Sequence, residues 1–217
     1  MDIYTLKIKL LSDATFGRGD GVAGSVDQEV EHDTYGFPYL RGRTLKGLLS
    51  EECDNFIAVL HDNIRQHWED VACQLFGKPG SSLDTIAQIQ IGNACLPEDL
   101  RQVVGYDLKQ KNSQLNKTDI LESLTTIRRQ TSINPKTGTP DNKSLRSSRV
   151  ILRELEFIAP LSFESTPNNN VLALLSVGAF ALRRIGSGRN RGRGYVKCSL
   201  FYPESNEIKD DYLHHFL

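Results

Sequence analysis

The densest chemistry in the chain is Arg183-Arg-Ile-Gly-Ser-Gly-Arg-Asn-Arg-Gly-Arg-Gly-Tyr195, where arginines at 183, 184, 189, 191 and 193 alternate with glycines. A guanidinium is a planar fork of N–H donors that suits phosphate oxygens. Glycine lets the backbone approach a ligand and take a positive φ. Together they point to phosphate contact; the plainer reading is a solvated helix-to-strand connection. The stretch is not a P-loop, because it lacks the Gly-Lys-Ser/Thr ending and follows a helix.

A second group is Gly36-Phe-Pro-Tyr-Leu-Arg-Gly-Arg-Thr-Leu-Lys-Gly47, where a helix begins at Gly42 with Arg43, Thr44 and Lys46 in its first turn. Free N–H groups and the helix dipole favour an anion there. Cations in that turn oppose the dipole, and an anionic partner removes the conflict. The alternative is an ordinary capped helix with surface charges. A third group is acidic: Asp20, Asp27, Glu29, Glu31 and Asp33. A carboxylate beside phosphate can hold a hard cation such as Mg²⁺ or transfer a proton. One carboxylate is thin ground for a nuclease, and chemistry alone favours a loop of solvated acids. His32 beside Asp33 reads as a loop residue or a proton donor, while His61, His67, His214 and His215 show no metal-ligand spacing with a carboxylate.

The totals bound these readings. The chain has 217 residues, 39% hydrophobic and 24% charged, with a net charge of −1. Any nucleic-acid surface must therefore come from local clustering of cations. Cys53, Cys73, Cys95 and Cys198 are dispersed, with no Cys-x-x-Cys pair. They read as reduced core cysteines, which argues against zinc and for the cytoplasm. No leader pattern or membrane-length apolar run is visible, so no membrane partner is expected.

These residues need elements to hold them. Tyr4–Leu11 alternates as a half-buried strand, followed by the glycine-rich Phe16–Gly24 and the turn-like Tyr35–Tyr39. Helices are expected over Arg43–Leu60 and Asn63–Phe76, the second with Trp68 in its apolar face and stopped by Gly77-Lys-Pro79. Ile86–Cys95 reads as a strand, and Leu100–Leu124 is ambiguous. Thr125–Arg149 holds Arg128, Arg129, Lys136, Lys143, Arg146 and Arg149 and reads as an exposed hairpin or loop. Val150–Phe163 reads as one strand, Asn169–Arg184 as an apolar helix including Phe180, and Tyr195–Tyr202 as the closing strand. The order approaches β-α-β-β-α-β: an α+β, ferredoxin-like fold of the kind RNA recognition motifs use, with a basic insertion.

At this point the motifs resemble a known family. Gly17-Arg-Gly-Asp-Gly21, Val26-Asp27, the Gly36–Gly47 stretch, Leu75-Phe-Gly77, Arg128-Arg-Gln-Thr-Ser-Ile-Asn134, Thr137-Gly-Thr139 and the Gly186–Gly194 loop are similar to those of the RAMP superfamily. They look most like backbone-type (Cas-seven group) subunits of type III CRISPR effector complexes. The Arg-x-x-x-Ile-Asn…Thr-Gly-Thr stretch looks most like the III-D branch. The resemblance implies one RAMP domain over residues 1–217, with residues 125–149 as a thumb-like insertion that displaces a nucleotide of the guide–target duplex. It implies guide-RNA contacts by Arg43, Thr44, Lys46, Arg128, Arg129, Arg146, Arg189, Arg191 and Arg193. Its partners would be guide RNA, target RNA and the other RAMP and large subunits. Asp27 matches the position of an aspartate that cuts target RNA with Mg²⁺, and Asp33 a second, non-catalytic acidic position; Asp20 competes for the role. Two other readings remain: a non-cutting structural subunit of the same assembly, and a CRISPR RNA-processing endoribonuclease relying on histidine, for which His32 is the only histidine of the early loop.

Overall fold

A computed structural model describes residues 3–77, 87–110, 112–203, 207, 208 and 216. Ile86, Lys78, Pro79, His214 and His215, invoked above, lie outside the described residues.

Strand β1 (Tyr4–Leu10) buries Tyr4, Leu6, Ile8 and Leu10 on one face, as its alternation predicts. Helices α1 (Gly42–Ala58) and α2 (Asp62–Phe76) follow, then β2 (Ile89–Ile91), α3 (Glu98–Asp107) and α4 (Lys117–Leu124). Strands β3 (Thr125–Gln130) and β4 (Arg146–Ile151) form a hairpin. Strand β5 (Glu156–Phe163), α5 (Asn169–Ala181) and β6 (Val196–Phe201) complete the chain.

Four strands make an antiparallel sheet in the order β2-β5-β1-β6. With the hairpin set aside, the chain runs β1-helices-β2-β5-α5-β6, and β5 lies between β1 and β2. This is the ferredoxin-like split arrangement. Leu45, Leu49 and Cys53 of α1, Trp68 of α2 and Leu172 to Leu175 of α5 join the inward residues of the sheet in one apolar cluster. Helix α5 is apolar on nearly all sides because it packs against α1, α2 and β6. Phe180 departs from expectation: it is exposed on the outer side of α5, and the Arg183 guanidinium lies 5.6 Å from its ring centre.

Two strands differ from their sequence reading. The Ile86–Cys95 run keeps regular pairing only over Ile89–Ile91. Beyond it the chain turns to other tasks: the Asn93 Oδ1 accepts the first N–H of α1 from Gly42 at 2.9 Å, and Ala94 pairs with Leu40. The Val150–Phe163 run divides into β4 and β5, which belong to different sheets. The break falls at residues 152–155, where Glu154 has a φ of 71°. Alternation continues on both sides of the turn, so periodicity conceals the change of sheet. The ambiguous Leu100–Leu124 stretch resolves into α3 and α4; a capping box of Asn116 and Asp119 opens the latter.

Cys53 and Cys198 are buried and all four cysteines are free. Burial pushes the Cys198 thiol up to about 12, so it stays protonated and inert at neutral pH. No helix among the described residues is long and apolar enough to cross a membrane.

Candidate nucleic-acid interface

The glycine loop is held by its backbone. Gly186 and Gly194 have φ of 78° and 70°. A Cβ on Gly186 would press on the Thr15 carbonyl, and one on Gly194 would overlap the Ile185 carbonyl oxygen. Ser187 N–H donates to the Thr15 carbonyl at 2.8 Å, and Gly194 N–H to the Asp13 carbonyl at 2.8 Å. The loop is thus clamped against the chain that follows β1. Between these anchors, Arg189–Arg191 forms a single 3-10 turn.

The clamping sets which arginine faces what. Arg189 reaches Glu51 of α1 at 3.3 Å, and Arg184 donates to the Arg189 carbonyl at 2.9 Å. Arg191 is exposed, and Arg193 is half-buried on the other side, beside the hairpin root. A groove of about 350 Å³ joins Arg41, Thr44 and Leu48 of the α1 region to Gly186, Ser187 and Arg189. The expected meeting of helix start and glycine loop therefore occurs, through Thr44 and Arg189. Arg43 and Lys46 do not take part. They lie on another side of α1 and line a cleft of about 640 Å³ with Asp54, Glu69 and Phe76. Helical geometry explains the split: neighbours in sequence stand about 100° apart around the axis. Burial lowers the pKa of Lys46.

Arg41 was not singled out in the sequence. It lies beside Thr44 in the groove and pairs with Glu31 at 2.6 Å. Glu31 also accepts the Tyr39 hydroxyl at 2.9 Å. The acidic loop is accordingly only partly a set of solvated acids: Asp20 and Asp27 are exposed, the others are not. Glu29 and Glu31 are buried, because each has a cation to neutralise it. Glu29 meets the Arg149 guanidinium at 2.9 Å and accepts Val30 N–H at 2.8 Å. This pair ties the root of the hairpin to the loop. Asp33 is structural too: it accepts N–H groups from Tyr35 and Phe37 and pairs with Arg101 at 3.2 Å. Asp20 is engaged by Arg18 at 2.6 Å.

Asp27 is exposed and sits against β4. Its Oδ2 accepts the Ser147 N–H at 2.6 Å and the Ser147 hydroxyl at 3.1 Å. Its own N–H donates to the Ser147 carbonyl at 2.9 Å. The backbone N–H and then the hydroxyl of Ser147, helped by Arg146, hold the Asp27 carboxyl below its ordinary value. It is anionic at neutral pH and a weak proton acceptor. Gly21–Asp27 and Ser147 surround a cleft of about 410 Å³ in front of it. Both Ser147 contacts use Oδ2, and Oδ1 has no protein partner among the described residues. Those residues hold no group of three or more His, Cys, Asp or Glu arranged to bind a metal ion. The chain thus offers a hard cation one carboxylate oxygen. That fits Mg²⁺, which keeps several waters and shares carboxylate and phosphate ligands. His32 Nδ1 lies 3.2 Å from the Asp33 carbonyl oxygen, and no acidic or basic side chain joins it in a catalytic arrangement among the described residues.

In the hairpin, Arg128 pairs with Asp13 at 2.8 Å and Arg149 with Glu29. Arg129, Lys136, Lys143 and Arg146 are exposed and make no side-chain hydrogen bond or ion pair among the described residues. Ile133 and Leu145 are exposed near the tip.

The comparisons with known proteins agree with this architecture. A chain of the type III-B Cmr-beta, solved by cryo-EM bound to cognate target RNA, superposes with a TM-score of 0.65 at 12% identity, covering 93% of this chain and 97% of that one. A chain of the apo state of the type III-B Cmr-beta gives 0.64 at 11% identity, covering 96% and 98%. No curated protein matches the chain in sequence. The sequence model of the RAMP superfamily matches residues 7–197, and the chain belongs to that superfamily.

Proposed function

We propose that this protein is a guide-RNA-binding backbone subunit of a type III CRISPR effector complex, and that it cleaves bound target RNA at Asp27. The observation that carries the RNA-binding part is the groove where the clamped glycine loop meets the start of α1, with Arg41, Thr44 and Arg189 on its walls. A backbone fixed this way presents donors at no ordering cost when a phosphate arrives. The exposed cations Arg129, Arg146, Lys136 and Lys143 extend the contact along the hairpin, which serves as the thumb. Type III membership draws support from the superfamily and from the likeness to type III-B chains. Within type III we assign the III-D branch, on the Arg128–Thr139 motif. The partners are guide RNA, target RNA and the neighbouring RAMP and large subunits, in the cytoplasm.

In the cutting step, Asp27 contributes a fixed negative charge. Its lowered pKa suits a cation ligand better than a proton acceptor, and one oxygen is free to take part in holding Mg²⁺. Bound there with RNA phosphate and water, Mg²⁺ would stabilise charge on the phosphate under attack. Ser147 orients the carboxylate, and displacement of a nucleotide by the hairpin sets the 2′-hydroxyl in line, so that its oxygen bonds to phosphorus as the bond to the 5′-oxygen breaks. The 2′ proton passes to water and the 5′-oxygen leaves with a proton from water, giving a 2′,3′-cyclic phosphate and a 5′-hydroxyl.

A structural role for Asp27 has its own support, since the same hydrogen bonds pin the early loop to β4. Two variants separate the readings in the assembled complex with guide and target RNA. Asp27→Ala removes charge and pin; Ser147→Ala removes the side-chain part of the pin and keeps the carboxylate. Cleavage requires loss of one cut site in Asp27→Ala at unchanged target affinity, with cutting retained in Ser147→Ala. Undiminished cutting by Asp27→Ala removes Asp27 from the mechanism.

A further inference from the structure

On the far side of the glycine loop from the Thr44 groove, a cleft of about 360 Å³ opens at the hairpin root. Arg128 and Arg129 line it from β3, Arg153 from the β4–β5 turn, and Arg193 from the glycine loop; Asp13 is the one acidic residue of the lining. The lining thus holds four arginines and one aspartate, an excess of three positive charges in a chain of net charge −1. Such crowding in protein surroundings is unfavourable unless an anion joins it. Arg193 bears this out: burial lowers its pKa, and Arg128 and Arg191 lower it further against the pull of Asp13.

Asp13 sits where three segments meet. Its Oδ2 takes Nε and Nη2 of Arg128 at 3.2 and 2.8 Å, its Oδ1 takes the Arg153 N–H at 3.3 Å, and its carbonyl takes Gly194 N–H. The same Nε and Nη2 donors form the fork with which a guanidinium meets phosphate oxygens. The side chains of Arg129, Arg153 and Arg193 make no hydrogen bond or ion pair among the described residues. At the end of the glycine loop, Tyr195 is 41% exposed, its backbone N–H donates at 2.9 Å to the Oγ of Ser12, a residue of the cleft lining, and Arg184 lies 5.9 Å from its ring centre. An exposed ring beside arginine is a stacking surface for an unpaired base.

We infer that this cleft is a second phosphate site, which takes one phosphodiester of a single-stranded RNA with its base on Tyr195, and in which Asp13 is the resident counter-ion that the phosphate displaces from Arg128. The glycine loop is then a partition, with Arg189 serving the Thr44 groove and Arg193 this one. The inference rests on the RNA-binding reading above and adds Arg153, Asp13 and Tyr195 to it.

The test is titration of the full chain with labelled single-stranded RNA across a salt series. Arg153→Ala should weaken binding and reduce the slope of log affinity against log salt by about 0.7, the value for one phosphate; Arg153→Lys should keep the slope. The thermal midpoint of Arg153→Ala should match wild type, since the truncated side chain touches no partner. Asp13→Asn, which keeps an acceptor for the Arg153 N–H, should tighten binding; weaker binding would overturn its role as a displaceable counter-ion. Tyr195→Ala should weaken RNA binding while leaving inorganic phosphate as effective a competitor as in wild type; unchanged RNA affinity would mean a site for free phosphate and would overturn the strand. Wild-type affinity and slope in both Arg153→Ala and Arg193→Ala, with Arg189→Ala still weakened, removes the second site and leaves the first groove standing. If Arg189→Ala also binds as wild type, or the chain binds no RNA, the RNA-binding reading itself falls.

Discussion

The glycine loop of residues 183–195 holds five arginines, and the hairpin segment 125–149 holds six cations. In the loop, Arg189 is closed on Glu51 and Arg184 on a backbone carbonyl, while Gly186 and Gly194 are wedged against the neighbouring chain. In the hairpin, the root is tied by Glu29–Arg149, Asp13–Arg128 and Asp27–Ser147; Arg129, Lys136, Lys143 and Arg146 make no side-chain hydrogen bond or ion pair among the described residues, and Arg146 acts on Asp27 only through its charge. Two similar compositions thus yield a rigid wall and a reaching arm. Arginine density alone therefore does not say where phosphate contact is free to form; pinning of the backbone and the local acids decide it.

The sharpest break of that contrast is at the hairpin root. Glu29→Ala leaves Arg149 half-enclosed without its carboxylate and should cost about 3–5 kcal/mol in chemical denaturation. A loss below about 1 kcal/mol would mean that the root is not the anchor. Next comes a matched pair of glycines. Gly194→Ala combines a positive φ with overlap on the Ile185 carbonyl and should cost about 3 kcal/mol. Gly138 near the hairpin tip has a φ of 68° but open space around it, so Gly138→Ala should cost about 1 kcal/mol. Equal losses would erase the distinction between wall and arm.

Charge removal should sort the two regions the other way. Replacing Arg129, Lys136, Lys143 and Arg146 together by alanine should change stability by less than about 0.5 kcal/mol, as for exposed surface sites that make no hydrogen bond or ion pair. It should flatten the salt dependence of RNA binding by about 0.7 log units for each phosphate left without its cation. The triple change of Arg189, Arg191 and Arg193 should also weaken RNA binding; normal binding would make the loop purely structural. The smallest effect concerns pH. Asp27 has a depressed pKa, so its grip on Ser147 is fully present at neutral pH and is lost only as pH falls below the ordinary carboxylate range through the lowered value. The protection of the Ser147 amide, its exchange rate relative to the intrinsic rate at the same pH, should fall over that window in wild type and stay flat in Asp27→Asn.

Much of the scaffold was legible without coordinates. Alternation located β1, the apolar period located α1 and α2, and the apolar run of 169–184 located α5, because single-element burial leaves a period in the sequence. The division of residues 150–163 between two sheets was not legible, since both halves alternate alike. Nor was the shortening of β2, which follows from Asn93 capping a helix 51 positions away.

The candidate site divides along the same line. Residue types and spacing by themselves pointed to the glycine loop, the helix start and the basic hairpin as candidate phosphate contacts, while Asp27 stood out from the other acids only through the resemblance to the RAMP superfamily. Tertiary structure alone decided that Thr44, not Arg43 or Lys46, faces the loop, that Glu29 and Glu31 are buried partners of Arg149 and Arg41, that Ser147 grips Asp27, and that Arg153 joins Arg128, Arg129 and Arg193 around Asp13. The physical reason is that a charge is defined by what lies within a few ångströms of it. For Asp27, Glu29 and Asp13 those neighbours are more than a hundred residues away along the chain.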